Sequence, residues 1–309
     1  MMRALAIIGP TASGKSALAM DIAARVDSEI VSIDSRQIYK RLDIGTAKPS
    51  MDERRRVPHH LIDILEPSEK SNASSFARIA GEAVEAINSR GRLPILVGGS
   101  GLYLRALLEG LFEIGLDPSE REAFARSVAG EETVRLRERL IEADPESAAR
   151  IHPNDRYRIT RALEVLSLSG TTLSGHFRIQ KDSTTPAVPF PCLKIGLDPD
   201  RGILHKMINS RTAGMIGTGW IAEVEGLLRD GADPSWPGMK TLGYPDVVAH
   251  IRGEMTIDAM TDRISARTRQ YAKRQMTWFR KEREVRWIDP VSADLPGAVL
   301  KLLDSAGIT

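Results

Sequence analysis

One octapeptide near the start of the chain has the residue types and spacing of a phosphate-binding loop. Gly9-Pro10-Thr11-Ala12-Ser13-Gly14-Lys15-Ser16 fits the pattern G-x-x-x-x-G-K-[ST] in full. Glycines let successive backbone N–H groups turn toward one anion, and the N-terminus of a following helix adds partial positive charge. Lys15 would supply a point charge to phosphate oxygens, and Ser16 a hydroxyl to Mg²⁺. The octapeptide predicts a di- or triphosphate site, but it specifies neither ATP nor hydrolysis.

A carboxylate is expected close to this loop. The second apolar run of the chain leads into Asp34, followed by Ser35, Arg36 and Gln37. Ligands of open parallel sheets bind at the carboxyl ends of the strands, so Asp34 should project toward the phosphate loop. The residue could coordinate metal, accept a proton from a bound nucleophile, or cap the following turn.

The sequence has no clear Walker B aspartate of the kind that a phosphoryl-transfer enzyme needs. A Walker B strand would carry apolar residues ending in an aspartate, whereas the best candidate, Leu93–Gly99, ends in two glycines. This difference hints that the bound diphosphate is a leaving group and not a phosphoryl donor.

Local charge indicates a polyanionic partner, although the net charge of +2 does not. Between Arg263 and Arg286 basic residues far outnumber the acids, which are Glu282 and Glu284. A second basic cluster comprises Arg150, Arg156, Arg158 and Arg161. Either cluster alone fits a solvated helix face, but the two together favour a polyanion such as RNA.

The elements that must position these residues alternate between strands and helices over residues 1–114. Apolar runs predict strands at Leu5–Ile8, Glu29–Asp34, His60–Leu65 and Pro94–Val97, with helices from Lys15 to Val26 and from Ser74 to Arg90. Gly91 should end the second helix. Alternation of this kind predicts an α/β domain whose parallel sheet is covered by helices on both faces.

The pattern changes between residues 115 and 189, where strand-like runs disappear. Helices are expected at Glu120–Ala129, Glu131–Ala143 and Asp155–Ser169, so this region reads as an all-helical insertion domain. Residues 190–309 then return to the core through a strand at Cys192–Leu197. A long basic helix near Asp262–Lys281 and a last strand at Val285–Ile288 follow.

Composition excludes several classes of protein. The chain has 309 residues, of which 42% are hydrophobic and 27% charged, close to the average for a folded globular protein. Its one cysteine, Cys192, excludes an internal disulfide framework and a multi-cysteine zinc site. No apolar run reaches the ~18 residues of a membrane span, and the first residues do not resemble a secretory signal. We therefore expect a cytoplasmic protein without a membrane partner.

Several motifs together resemble one family, the tRNA dimethylallyltransferases, also called tRNA isopentenyltransferases. They occur in the family's order from Gly9 to Phe279, and the third and last of them are very specific. The motifs are Gly9–Ser16, Ser32–Tyr39, Asp43–Pro49, Pro58–Asp63, Val97–Tyr103, Ile151–Asp155, Arg158–Glu164 and Tyr271–Phe279. The resemblance implies a P-loop NTPase-like core with the helical insertion binding tRNA.

The resemblance also implies an activity and roles for individual residues. The family transfers a dimethylallyl group from dimethylallyl diphosphate to N6 of the adenosine next to the tRNA anticodon (position 37), with Mg²⁺ as cofactor. By motif, Asp34 would be the general base, Thr11 would hydrogen-bond the diphosphate, and Arg211 would stabilise its charge. Gly9, Pro10, Thr11, Ala12, Ser13, Gly14, Lys15 and Ser16 would hold the diphosphate, with Ser16 also at the metal.

Three segments and one serine resemble the family's tRNA-binding positions. They are Asp34, Ser35, Arg36 and Gln37; Ser100; Tyr157, Arg158, Ile159, Thr160 and Arg161; and Lys240, Thr241, Leu242, Gly243, Tyr244 and Pro245. The target adenine would have to flip out of its stack, and Ser35 and Gln37 are placed to meet its Watson–Crick edge. Ser16 and Ser100 stand where the family mostly has threonine, and both keep a hydroxyl. The family suggests a monomer.

Three alternatives remain open from the sequence. A small-metabolite or nucleotide kinase would use the same loop with ATP. An isopentenyltransferase acting on free AMP or ADP would resemble the first half of the chain without the RNA-binding insertion. A P-loop RNA-binding scaffold would bind RNA without turnover.

Overall fold

The computed structural model of the chain describes residues 3–110, 117–182 and 190–308. Its contacts divide the chain into two compact units, one formed by Met1–Glu109 with Val188–Thr309 and the other by Gly110–Ala187. Gly115 and Pro189, the predicted ends of the insertion, lie outside the described residues. The segment Lys181–Pro191, whose three prolines predict turns, also lies mostly outside them.

The larger unit is built on a parallel sheet. In the described ranges the strands are β1 (Ala4–Ile8), β2 (Ser28–Ser32), β3 (His59–His60), β4 (Leu93–Gly98), β5 (Cys192–Leu197) and β6 (Val285–Ile288). They lie in the order β3-β2-β4-β1-β5-β6, and every pairing is parallel. Because β2, β4 and β1 are neighbours, the loops that leave their carboxyl ends meet at one edge of the sheet.

Helices make up most of the rest of the described chain. They are α1 (Lys15–Ala23), α2 (Met51–Arg56), α3 (Ala73–Ser89), α4 (Gly101–Glu109), α5 (Pro118–Ser127), α6 (Thr133–Ala143), α7 (Pro145–Arg150), α8 (Arg156–Ser169), α9 (Leu173–Asp182), α10 (Arg201–Gly217), α11 (Trp220–Arg229), α12 (Tyr244–Ile251), α13 (Ile257–Phe279) and α14 (Leu295–Ser305). None of these described helices is both long and apolar enough to cross a bilayer.

Side-chain alternation along the strands separates two hydrophobic layers. On β1, Leu5 and Ile7 pack with α1 and α14, whereas Ala4, Ala6 and Ile8 belong to the opposite layer with α3, α4 and α11 to α13. Both faces of the sheet are therefore covered, as parallel sheets require. The predicted fold class, an α/β core with a helical insertion, is confirmed.

The third predicted strand, His60–Leu65, is wrong beyond its first residue. Strand β3 ends at His60, and Leu61 and Asp63 both have positive φ angles, 63° and 58°. A backbone in this left-handed region cannot continue a strand. The Asp63 carboxylate accepts hydrogen bonds from Lys48 and Arg54, which hold the turn in place.

The smaller unit has its own core. Its described residues form α5 to α9, with Leu136, Leu140, Ile159 and Leu163 among the buried residues. Asp144 ties two helix starts together, since one oxygen accepts from the N–H of Ser147 and the other from the N–H of Ser174, both at 3.0 Å. The helices predicted at 120–129, 131–143 and 155–169 are present with ends shifted by at most two residues.

A buried charge cluster joins the start of β2 to the elements beside it. The Glu29 carboxylate accepts hydrogen bonds from Arg90 at 2.8 Å and Arg92 at 3.1 Å, and it lies 2.6 Å from His60 Nε2. Burial acts to raise the Glu29 pKa, but the hydrogen bonds from Arg90, His60 and Arg92 outweigh it and lower the pKa to about 2.

We predict that Glu29→Gln destabilises the protein by about 3 kcal/mol near neutral pH. Because the folded pKa lies below the unfolded one, this stabilisation is complete above pH ~4.5 and is lost as the pH falls toward ~2. Urea unfolding of both proteins across this range should show the difference shrinking with acidity. Glu85→Gln, on the exposed side of α3, is the control and should change stability little. A gap that stayed constant down to pH 2 would contradict the assignment.

Candidate active site

The phosphate loop leaves the carboxyl end of β1 and runs directly into α1. Three of its residues have positive φ: Gly9 at 144°, Ala12 at 63° and Gly14 at 90°. A Cβ atom at Gly9 would lie 2.9 Å from the carbonyl oxygen of Leu197 at the end of β5, so this position requires glycine. The tight turn places the N-terminus of α1 at the loop, the arrangement that binds anions.

Lys15 is the buried cation of the loop. The residue is only 9% exposed, and its Nζ donates a hydrogen bond to the carbonyl oxygen of Pro10 at 2.6 Å. Burial lowers its pKa to about 7, the neighbouring Arg211 adds to this effect, and Asp34 opposes it. A phosphate anion beside Nζ would reverse both causes of the lowered pKa.

A second cation reaches the same loop from another element. Arg211, on α10, donates to the hydroxyl of Thr11 at 3.4 Å. Burial lowers the Arg211 pKa and Asp34 acts in the opposite direction. An arginine remains charged at any ordinary pH, so the loop faces a permanent positive charge.

Asp34 follows β2, which ends at Ser32, two residues earlier than predicted. Its Oδ1 accepts from the backbone N–H of Arg36 at 2.9 Å. The capping role considered for this residue is therefore present, but a single bond leaves most of the accepting capacity of the carboxylate available. Asp34 electrostatically influences both Lys15 and Arg211, and all three line one cavity.

That cavity brings together site residues that the sequence predicted in the phosphate loop, in the segment after β2 and on α10. It encloses about 1100 Å³ of empty space including its open mouth, enough for a small diphosphate and a purine. Polar side chains predicted from the sequence line it: Thr11, Lys15, Ser16, Asp34, Arg36, Gln37 and Arg211. Apolar residues with no recognisable sequence signal also line it, among them Ile208, Met215, Trp220 and Ile264.

Ser35, Arg36 and Ser100 form a connected wall beside Asp34. Ser100 Oγ accepts from the backbone N–H of Ser35 at 3.0 Å and donates to Ser35 Oγ at 3.2 Å. The Arg36 guanidinium lies 4.0 Å from the ring centre of Tyr271, a cation–π contact. Burial raises the Tyr271 pKa, and Arg36 acts to lower it. Tyr271 lies in a motif of the sequence, but its place in this wall was not predicted.

The contacts of the Gln37 side chain differ from the base contact expected from the sequence. Its Oε1 accepts from Ser32 Oγ at 2.9 Å, and its Nε2 donates to the carbonyl oxygens of Thr46 and Ala47 at 3.3 and 3.0 Å. Both ends of the amide are engaged within the protein. Gln37 thus holds the Asp43–Pro49 motif against β2, and it is not a free reader of a base edge.

The segment Lys240–Pro245 is largely internal. Thr241, Gly243 and Tyr244 are buried, whereas Lys240 and Pro245 are exposed and Leu242 lines the cavity. The Tyr244 hydroxyl donates to Glu223 at 2.7 Å, and the same carboxylate accepts from the N–H groups of Asp43 and Ile44. The segment therefore supports the cavity wall, and its accessible side chains are few.

In the helical unit, too, some of the predicted RNA-binding residues are exposed and others are buried or paired within the protein. Tyr157 is 81% exposed and the Arg158 side chain 66% exposed at the start of α8, but Ile159 is fully buried in the core of that unit. Arg161 is paired with Glu164 at 2.6 Å, and Thr160 is partly buried. A buried isoleucine cannot contact a ligand, so the exposed side chains of the predicted segment 157–161 are Tyr157 and Arg158.

The donor set fits Mg²⁺ only if phosphate supplies most of the ligands. Among the described residues no group of three or more acidic, histidine or cysteine side chains could hold a metal. Ser16 is exposed in the first turn of α1 and lines the cavity. Mg²⁺ commonly binds through phosphate oxygens, water and one or two protein oxygens, which this arrangement can provide.

Comparisons with known proteins agree with this geometry. A family profile described as IPP transferase matches residues 37–282. A tRNA dimethylallyltransferase 2 from Geotalea uraniireducens is 46% identical over 292 residues, covering 93% of this chain and 92% of the relative. A tRNA dimethylallyltransferase from Geobacter metallireducens is 45% identical over 288 residues, with 93% and 92% covered.

A solved structure is similar along nearly the whole chain. The full-length tRNA isopentenylpyrophosphate transferase from Bacillus halodurans superposes with a TM-score of 0.71 at 34% identity, covering 99% of this chain and 96% of that one. The profile match begins after the phosphate loop and includes the helical unit, whereas the relatives and the solved structure cover more than nine tenths of the chain. The chain belongs to the IPP transferase family, that of the tRNA dimethylallyltransferases.

Proposed function

We propose that this protein transfers a dimethylallyl group from dimethylallyl diphosphate to N6 of the adenosine next to a tRNA anticodon (position 37), giving N6-isopentenyladenosine and diphosphate. The observation that carries the proposal is the single cavity in which Asp34 faces the buried cations Lys15 and Arg211. A carboxylate beside a diphosphate site suits a reaction that removes a proton from a nucleophile while diphosphate leaves. The proposal also includes a monomeric enzyme acting in the cytoplasm.

The reaction balances without a phosphoryl group moving. The N6 amine attacks C1 of the dimethylallyl group, and the bond between C1 and the diphosphate oxygen breaks with its electron pair going to diphosphate. The amine loses one proton, which Asp34 accepts. The Lys15 ammonium, the Arg211 guanidinium and the N–H groups of the loop stabilise the charge that develops on the leaving group.

Three features of the chain's own residues support these roles. The N–H of Arg36 holds one oxygen of Asp34 and so orients the carboxylate. Arg211 contacts the Thr11 hydroxyl, which places that hydroxyl beside the guanidinium at the diphosphate position. Apolar residues of the cavity, including Met215 and Ile264, offer a surface for the dimethylallyl carbons.

Mg²⁺ fits the proposal through Ser16 and the diphosphate itself. Ser16 would be the protein ligand, with the remaining positions filled by diphosphate oxygens and water. When bound, the ion would neutralise charge on the departing diphosphate. Gly9 to Ser16 would hold that diphosphate through their backbone, as the loop geometry supports.

The RNA part of the proposal depends on the exposed residues of the helical unit. An adenine stacked in an anticodon loop cannot reach a carboxylate inside this cavity, so it must flip out. Arg158 can contact phosphates of the stem, and the exposed ring of Tyr157 can contact a base or sugar. Ser35, Arg36 and Ser100 would meet the RNA at the cavity mouth, where Tyr271 supports Arg36.

The first prediction tests the base. Asp34→Asn should lower kcat by about 10²–10⁴-fold, because the amide cannot accept the N6 proton, while RNA affinity changes little. The measurement is mass spectrometry of an anticodon stem-loop RNA after incubation with dimethylallyl diphosphate and Mg²⁺. Asp262→Asn, exposed on α13, is the matched control.

Parallel reactions decide between the proposed reaction and its rivals. Free AMP in place of RNA tests a nucleotide prenyltransferase, and ATP in place of the prenyl donor tests a kinase. Phosphoryl transfer without prenylation, preference for AMP, or full activity of Asp34→Asn would each contradict the proposal.

The second prediction follows from the lowered pKa of Lys15. At pH 8 the empty protein holds Lys15 mostly neutral, and a bound diphosphate should raise its pKa and draw one proton from solution. Calorimetric titration with dimethylallyl diphosphate in two buffers of different ionisation enthalpy should reveal this uptake. It should largely vanish at pH 6, where Lys15 is already charged.

Lys15→Arg provides the control for proton uptake, since arginine is charged throughout this range. Lys206→Arg, exposed on α10, should behave as the unmodified protein. Tight binding at pH 8 with identical heats in both buffers would show that Lys15 is not the group that contacts the diphosphate.

The third prediction concerns RNA phosphates. Arg158→Ala should weaken RNA binding and reduce the slope of log affinity against log salt concentration by about 1, the value for one lost phosphate contact. Arg126→Ala, equally exposed on α5, is the control. Fluorescence anisotropy with a labelled stem-loop at several salt concentrations measures both. An unchanged slope for Arg158→Ala would assign this residue to a solvated helix face.

A further inference from the structure

Two of the sequence motifs meet beside the phosphate loop. Val97–Tyr103 forms the turn between β4 and α4, and Tyr271–Phe279 is the C-terminal part of α13. Helix α13 lies against this turn through Gln275 and Trp278, which are separated by one helical turn.

Gln275 connects two loops with one side chain. The residue is buried, at 6% exposure. Its Oε1 accepts from the backbone N–H of Thr11 at 2.8 Å, and its Nε2 donates to the carbonyl oxygen of Gly99 at 2.9 Å. A single amide therefore links the loop after β1 to the turn after β4.

The glycines of the turn make room for this contact. A Cβ at Gly99 would lie 2.0 Å from Gln275 Nε2, and a Cβ at Gly101 would lie 2.1 Å from the ring of Trp278. Any larger residue would force α13 away from the turn. Arg105 then covers Trp278 at 4.9 Å from the ring centre and pairs with Glu282 at 2.5 Å, which holds the end of α13 in place.

The hydrogen bond to Gln275 fixes the orientation of Thr11. With its N–H directed to Gln275, the Thr11 residue turns its hydroxyl to Arg211 at 3.4 Å. One turn earlier on the same helix, Tyr271 contacts Arg36, which in turn binds Asp34 through its backbone N–H. Positions 271 and 275 of α13 thus touch the acceptor side and the donor side of one cavity.

We propose that Gln275 is a positioning residue that fixes Thr11 and the phosphate loop in their diphosphate-binding conformation by bridging Thr11 N–H to Gly99 C=O. The inference rests on the proposed prenyl transfer for its catalytic meaning. An amide is suited to this place because it donates and accepts at once, whereas an apolar side chain would leave a buried N–H and a buried carbonyl without partners.

Gln275→Met tests the bridge with a side chain of similar size. We expect a 10- to 100-fold rise in the KM for dimethylallyl diphosphate and a similar rise in the Kd for inorganic diphosphate with Mg²⁺. RNA affinity should stay within about twofold. Gln270→Met, exposed on the same helix, is the matched control and should change neither constant.

Gln275→Glu gives a second test that does not depend on the methionine variant folding. A protonated carboxyl can reproduce both bonds, with its O–H donating to Gly99 and its carbonyl oxygen accepting from Thr11, but an ionised one can only accept. Burial at this position should raise the pKa of the new carboxyl. Measured relative to the unmodified protein at each pH, the diphosphate Kd of Gln275→Glu should therefore approach the normal value as pH falls from 8 to 6.

The outcomes are separable. A diphosphate Kd within twofold of normal for Gln275→Met, or equal losses in diphosphate and RNA binding, would overturn the positioning role. A Gln275→Glu defect that does not change with pH would do the same. If the unmodified protein prenylates no RNA, the proposed function fails, but the inorganic diphosphate titrations still decide whether Gln275 positions the loop.

Discussion

The crowding of two basic groups, Lys15 and Arg211, at one anion site is the constraint on which the rest of the larger unit depends. Lys15 and Arg211 line the same cavity, burial lowers the pKa of each, and Arg211 lowers the Lys15 pKa further. Asp34 opposes both effects, but one carboxylate cannot balance two cations. The empty protein therefore favours the neutral form of Lys15, and a bound polyanion would favour its charged form.

Such a site must be held open by rigid elements, and the sheet supplies them. Strands β2, β4 and β1 are neighbours, so Asp34, the Gly98–Gly99 turn and the phosphate loop leave the sheet side by side. A Cβ at Gly98 would lie 1.9 Å from the carbonyl oxygen of Ile33, so only glycine allows the two strand ends to come this close. The glycines that argued against a Walker B acid are thus required by the backbone beside Asp34.

Sequence reasoning succeeded for features whose chemistry and local structure are both set by a short stretch of the chain. The phosphate loop between a strand and a helix, and the parallel sheet that alternating strands and helices predict, are consequences of local pattern. It failed at His60–Leu65, because two left-handed residues break an apolar run that reads as a strand, and the ion pairs of Asp63 that hold the turn join distant residues. Trp220, which fills the space beside Gly45 and Gly243, gave no signal because its contacts are all long-range.

It was easier to locate the motifs in the sequence than to predict what each of their side chains contacts. Gln37 and Tyr244 lie in segments expected to meet RNA, yet Gln37 binds Thr46 and Ala47, and Tyr244 binds Glu223. An amide or phenol can serve a ligand or an internal contact equally well, and only the neighbours brought by the fold decide between them. In this protein the internal contacts of these two side chains have a structural consequence. By tying the Asp43–Pro49 loop to β2 and, through Glu223, to α12, these side chains stabilise the part of the cavity wall that this loop forms.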